Sequence, residues 1–194
     1  MRKLIMKMSL SIDGFVGGPK GEKDWVFRSS TEESRAWLVE KTREAGLIIM
    51  GRKSFANMGA YWPTATGPFA TPMNEIPKAV FTKNGYKGLN LPNADQSAAV
   101  KSWNEARIIN GSLAEEIKHL KSQPGKPIYA IGGAGFIRNL IATGLIDEYH
   151  LITHPVLLGE GEQVFNGVAK PADLKLIEAK AFSGGIVAHI YHPA

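Results

Sequence analysis

Residues 128–137 read Ile-Tyr-Ala-Ile-Gly-Gly-Ala-Gly-Phe-Ile, an apolar run of strand length that passes through glycines into an apolar, helix-patterned segment. A helix that begins this way has no Ser, Thr, Asp or Asn to cap it, so its first amide N–H groups stay without side-chain acceptors. Those donors, the positive helix end and the missing side chains together suit a pyrophosphate. Ile131, Gly132, Gly133, Ala134, Gly135 and Phe136 are therefore candidate phosphate-binding residues, although a tight strand-to-helix turn with no ligand reads the same way. Gly51-Arg52-Lys53-Ser54 is a second such place, following the apolar run Leu47–Met50. Arginine forks onto phosphate oxygens, lysine supplies a point charge, and Ser54 stands where it could cap the next helix. The plain alternative is a solvated basic turn. Thr82-Lys83-Asn84 makes a third polar, basic strand end. Three such ends in one chain point to a dinucleotide rather than a single phosphate.

Ser11-Ile12-Asp13-Gly14-Phe15-Val16-Gly17-Gly18 is also rich in glycine. Asp13 is either the structural member of an Asp-Gly turn or a proton donor. Trp25 is either an aromatic of the core or part of a substrate pocket. His119, His150, His154, His189 and His192 show no metal-ligand spacing, and no metal site is expected. With no cysteine, disulfides and thiolate chemistry are excluded.

The elements that must position these residues alternate between strand and helix patterns, which predicts an α/β domain. Leu4–Leu10, Leu47–Met50, Ala79–Thr82, Ala106–Ile109, Ile128–Ile131 and Glu148–Thr153 read as strands. Ser30 with Glu33 predicts a capping box for a helix closing near Gly46, and Ser112 with Glu115 another for a helix on Leu113, Ile117 and Leu120. Phe136, Ile137, Leu140 and Ile141 form the inward stripe of a helix ending at Gly144. Pro63–Pro77 reads as an irregular surface loop. Leu174–Lys180 and Ile186–Tyr191, flanking Ser183-Gly184-Gly185, predict a terminal antiparallel hairpin. The sum is a mixed sheet of about eight strands with about four helices.

The 194 residues, 44% hydrophobic and 21% charged, fit one domain spanning 1–194. Lysine and arginine break up the apolar N-terminus, so neither a signal peptide nor a membrane span is expected, and the protein is placed in the cytoplasm. The net charge of +5 is scattered among acids, as in Glu115-Glu116-Lys118. That favours a small phosphate ligand over a nucleic acid partner.

With these landmarks the sequence resembles the dihydrofolate reductase superfamily, in particular bacterial proteins similar to the C-terminal reductase domain of the riboflavin-biosynthesis deaminase/reductase. The resemblance spans nearly the whole chain. It rests on Ser11-Ile12-Asp13-Gly14, residues 47–54, Ile131 to Gly135, and Leu145-Ile146-Asp147-Glu148 leading to His154-Pro155-Val156-Leu157-Leu158-Gly159. It implies a three-layer fold with helices on both faces of the sheet, NADPH as hydride donor, and a homodimer. By position it implies that Gly51, Arg52, Lys53 and Ser54 hold the pyrophosphate and 2′-phosphate side of NADPH. Thr82 and Lys83 would lie by the adenosine, Gly132 to Phe136 would donate to the pyrophosphate, and Met8, Val16 and Gly17 would face the nicotinamide. Trp25 matches a loop tryptophan of both relatives.

Two departures bear on the substrate. Dihydrofolate reductases carry an acid on the first helix, where this chain has Ser34 or Arg35, which argues against folate. The riboflavin-pathway reductases carry an acid before the paired glycines, where this chain has Ile131, which weighs against their ribosylamino-uracil substrate. The expected function is NADPH-dependent reduction of a small molecule, with 5-amino-6-(5-phosphoribosylamino)uracil reductase-type activity as one form of it. Asp13, Asp24 or an ordered water are the candidate proton donors. A nucleotide-binding protein without chemistry and a nucleic-acid-binding module are the alternatives.

Overall fold

In a computed structural model, residues 1–85, 97–167 and 171–194 are described. In chain order the elements are β1 (Leu4–Ser11), β2 (Phe15–Gly17), α1 (Trp25–Arg28), α2 (Glu32–Arg43), β3 (Leu47–Gly51) and α3 (Arg52–Tyr61). A 3-10 turn (Trp62–Thr64), α4 (Ala70–Glu75), β4 (Lys78–Phe81), α5 (Ala98–Asn104), β5 (Arg107–Ile109) and α6 (Leu113–Ser122) follow. The chain closes with β6 (Ile128–Ile131), α7 (Ala134–Ala142), β7 (Glu148–His154), β8 (Glu162–Gln163), β9 (Leu174–Ala181) and β10 (Val187–Pro193).

Eight strands form one sheet in the order β5-β4-β3-β6-β1-β7-β10-β9. It is parallel from β5 to β7 and antiparallel at β10 and β9. This is the mixed sheet and C-terminal hairpin expected from the sequence. Strand residues alternate between the two faces, so Leu4, Met6, Leu47, Ile49, Ile128 and Ala130 pack with α6 and α7. Ile5, Ile48, Met50 and Tyr129 turn the other way, toward Phe55 of α3, Met73 of α4 and Trp103 of α5. Trp37 of α2 covers β7 and β10 on a third cluster with Phe182 and Ile190. Helices therefore lie on both faces, the three-layer arrangement of the dihydrofolate reductase-like fold.

Several local expectations shift. The capping box of α2 is Thr31 with Ser34, because Thr31 is the extended residue, and Ser30 instead bonds back to Val26 O at 2.9 Å. Ser112 makes no side-chain cap bond, and Ser54 does not cap α3, whose N-cap is Gly51. Residues 63–77 are not simply an irregular loop. α4 forms there because long-range contacts outweigh its prolines and glycine: Asn74 Nδ2 donates to Trp62 O at 2.9 Å, and Trp103 Nε1 donates to Asn74 Oδ1 at 2.8 Å. The Phe15–Gly17 stretch, read as part of a loop, is a short strand paired with β8.

Candidate active site

Two of the strand ends singled out in the sequence converge. β3 runs into α3 and β6 into α7, and neither helix has a side-chain cap. In α7 the first of these helical backbone bonds is Ile137 N–H to Gly133 O at 3.0 Å, which leaves the amides of Ala134, Gly135 and Phe136 as the free first-turn donors. Gly132 and Gly133 have φ of +69° and +66°, a conformation that only glycine adopts without strain. Space is as tight as geometry, since a Cβ on Gly133 would stand 2.9 Å from Ser54 Oγ and one on Gly51 2.9 Å from Phe136 Cβ. The two turns fit together only because both are bare.

Between them opens a cavity of about 510 Å³, lined by Gly51 to Ser54 and Asn57 on one side and by Gly133 to Phe136 on the other. Lys20, Gly21, Lys23 and Glu162 close it. Four cationic side chains face one carboxylate around two positive helix ends, an electrostatic setting for a polyanion. A side chain at Gly133 would fill the cradle, and its absence fits a pyrophosphate held by backbone N–H groups.

A second cavity, of about 240 Å³, adjoins the first: Lys23 lines both, and Gly132 lines the second where Gly133 lines the first. Its floor is Lys7, Met8 and Ser9 of β1 with Tyr129 and Ile131 of β6. Its walls are mostly apolar, formed by Val26, Phe27, Met58, Trp62, Phe69 and Met73. None of the residues lining it is an aspartate or glutamate. Burial, assisted by the charge of Lys23, pushes the Lys7 ammonium down to about 8. No carboxylate among the described residues pairs with Lys7.

Beside the floor, Tyr129 Oη lies 3.0 Å from His150 Nδ1, His150 Nε2 lies 2.6 Å from Glu148 Oε1, and Glu148 Oε2 lies 3.0 Å from His192 Nε2. Burial lowers the His150 pKa against the opposing pull of Glu148, and burial raises that of the Tyr129 phenol. His154, held by Ser29 Oγ at 2.9 Å, is pushed down to about 4 by burial and by the charge of Lys7.

The residues named from the sequence divide. Gly51, Arg52, Lys53, Ser54, Gly133, Ala134, Gly135 and Phe136 line the larger cavity, while Met8, Val16, Ile131 and Gly132 line the smaller. Gly17, Thr82 and Lys83 line neither, and Thr82 Oγ1 accepts instead from Asn84 N–H at 3.2 Å. Asp13 accepts from Leu158 N–H and Gly159 N–H, the latter at 2.7 Å, and fastens that loop to the end of β1. The Ser11 side chain and these amides lower its pKa. Asp24 is exposed at the start of α1. Trp25 is buried, its Nε1 donating to Glu22 O at 3.2 Å and its ring meeting His154 edge-on at 5.3 Å, so its neighbours Val26 and Phe27 face the cavity instead. Missed from the sequence were Lys7, Lys23, Tyr129 and the wall from Met58 to Met73. The available signal for Lys7 was a lysine in mid-strand where every neighbour is apolar.

The sheet order with helices on both faces defines a domain of the dihydrofolate reductase-like fold. The chain belongs to the RibD C-terminal domain family, which it matches over residues 2–188. It is 35% identical over 191 residues to the uncharacterized protein YyaP of Bacillus subtilis (strain 168), covering 98% of this chain and 95% of that one. Among solved structures it is similar to a diaminohydroxyphosphoribosylaminopyrimidine deaminase/5-amino-6-(5-phosphoribosylamino)uracil reductase of Thermotoga maritima. That match has a TM-score of 0.69 and 13% identity, and it covers all of this chain and 57% of the other. A dihydrofolate reductase of Enterococcus faecalis complexed with NADP(H) matches with a TM-score of 0.62 and 17% identity, covering 98% of this chain and 96% of that one. At such identities these structures establish the fold.

Proposed function

We propose that this chain is an NADPH-dependent reductase whose larger cavity holds the dinucleotide phosphates and whose smaller cavity holds the substrate. The observation that carries the reading is the convergence of two uncapped helix ends and four cations on a glycine-lined cradle that opens beside an apolar cavity. The Enterococcus relative, bound to NADP(H) on the same fold, supports it. When bound, the nicotinamide supplies a hydride at its C4 carbon. The amides of Ala134, Gly135 and Phe136 bind phosphate oxygens, while Arg52 and Lys53 bind the charge that distinguishes NADPH from NADH. Ile131 and Gly132, which line the smaller cavity next to Gly133, would hold the nicotinamide with one face toward the substrate space, and the apolar walls would exclude water. Lys7 carries the proton that reduction consumes, and its lowered pKa brings it close to the range where general acids work best. Asp13 is left as a loop fastener rather than a donor.

The cradle is tested at Gly133. Gly133→Val places a branched side chain against Ser54 at a positive φ, and NADPH binding, read by cofactor fluorescence, is expected to disappear. A folded variant that binds NADPH as tightly as the parent removes the cofactor site and with it the reductase. Arg52→Ala is expected to weaken NADPH by about 1.5–3 kcal/mol and NADH much less, since a charge-assisted fork is worth that much. Equal losses for both cofactors move Arg52 away from the 2′-phosphate.

A further inference from the structure

We infer that the substrate of the smaller cavity is an uncharged, largely apolar carbonyl compound, an aryl ketone or aldehyde in kind, bound ring-first among Trp62, Phe69 and Met73 with its oxygen toward Lys7. The inference rests on the proposed cofactor site and adds the substrate class. Three observations carry it. First, the lining contains no carboxylate. A protonated, amino-substituted heterocycle such as a pterin leaves buried N–H donors and a positive charge unanswered there, at a cost that excludes it.

Second, the walls are mostly apolar, supplied by Val26, Phe27, Trp62, Phe69 and Met73. A ribose phosphate entering that space lays most of its hydroxyls along apolar wall, since Ser9, Thr42 and Tyr129 are the neutral polar side chains of the lining. The phosphate-binding chemistry of this molecule, bare helix ends and most of the clustered cations, belongs to the neighbouring cavity. Third, Lys7 stands in the floor with no hydrogen bond or ion pair recorded to another described residue, whereas Lys78, a buried lysine on β4, has two acceptors. A carbonyl oxygen completes Lys7 without introducing a second charge.

The reduction balances with what the two cavities hold. The hydride leaving C4 of the reduced nicotinamide forms the new C–H bond at the carbonyl carbon. The C=O π pair becomes a lone pair on oxygen, and that oxygen takes a proton from the Lys7 ammonium. The products are the alcohol and NADP⁺, and Lys7 recovers its proton from solvent.

The test measures equilibrium binding and turnover on the full chain with three probes: 1-phenyl-1,2-propanedione, dihydrofolate and the phosphorylated ribosylamino-uracil. Binding is read by tryptophan quenching with NADP⁺ present, and Trp62→Phe identifies the reporter. The dione is expected to quench, and to be reduced with NADPH, while the other two probes do neither. In Phe69→Ser its dissociation constant is expected to rise about tenfold with NADPH affinity unchanged within about twofold, the size expected for exposing one aromatic contact. Tighter binding of dihydrofolate or of the phosphorylated probe than of the dione overturns the substrate class while NADPH binding still upholds the cofactor site. A dione affinity indifferent to Phe69→Ser also overturns it. Failure of NADPH itself to bind removes both readings.

Discussion

Lys7 on β1 and Lys78 on β4 stand on the same face of the sheet, and burial pushes both ammonium groups down to about 8. They differ in what meets the charge. Lys78 donates to Asn74 O at 3.1 Å and to Ser102 Oγ at 2.6 Å, and lies 4.8 Å from the centre of the Trp103 ring. It ties α4 and α5 to the strand beneath them. Among the described residues Lys7 has no such partners, and it opens into a cavity. A depressed lysine is therefore not by itself a sign of function. The surroundings decide: a satisfied ammonium is a brace, and an unsatisfied one facing empty space is available to a ligand.

Methionine, close in length and uncharged, separates the two roles. Lys7→Met is expected to lower turnover about 100-fold or more, the range for loss of a general acid. Turnover of the parent is expected to fall as pH rises through about 8, where Lys7 loses its proton, and a flat profile across that range denies Lys7 the role. Lys78→Met is expected to leave turnover unchanged and to gain less stability at neutral pH than Lys7→Met, because relief of its desolvated charge is offset by the bonds lost to Asn74 O on α4 and Ser102 Oγ on α5. Equal stability in denaturant would dissolve the contrast. The stability of Lys7→Met follows from the same linkage without that offset. Below pH 8 the folded protein bears the cost of a desolvated Lys7 charge, a cost relieved as pH climbs from the folded value of about 8 to the unfolded 10.5. Lys7→Met is thus expected to be the more stable protein at neutral pH, by about 1–3 kcal/mol, with the gap closing toward pH 10.5. Parallel melting curves at pH 7 and pH 10 read this directly.

The two cavities were unequally legible in the sequence. The larger could be read because its cause is local: a strand, glycines and a helix without a cap are contiguous in residues 47–54 and 128–137, and the physics of a bare helix end needs nothing distant. The smaller is assembled from far-apart pieces. Its wall at Met58, Trp62, Phe69 and Met73 depends on α4, which exists because Asn74 bridges Trp62 and Trp103. Residues 63–77, with Pro63, Pro68, Pro72 and Gly67, carry the composition of a loop. Lys7 was passed over because a lone charge in an apolar strand reads as an interruption. Thr82 and Lys83 line neither cavity, and a polar strand end looks the same in the sequence whether or not it borders one. The sheet itself was legible nearly throughout, from the short apolar runs of β3 and β6 to the terminal hairpin, because strands covered on both faces read as continuous apolar segments bounded by turn signals.

Lys23 borders both cavities, and its charge is one of the two causes that hold the Lys7 pKa down. Whatever neutralises Lys23 from the phosphate side relaxes that repulsion and lets Lys7 hold its proton more firmly. Filling one cavity with a polyanion thereby primes the acid in the other, and by reciprocity the polyanion binds less tightly to the deprotonated protein. On the proposed reading, loading of the dinucleotide draws a proton from solution around pH 8, so that binding of the anion and supply of the proton to Lys7 are coupled.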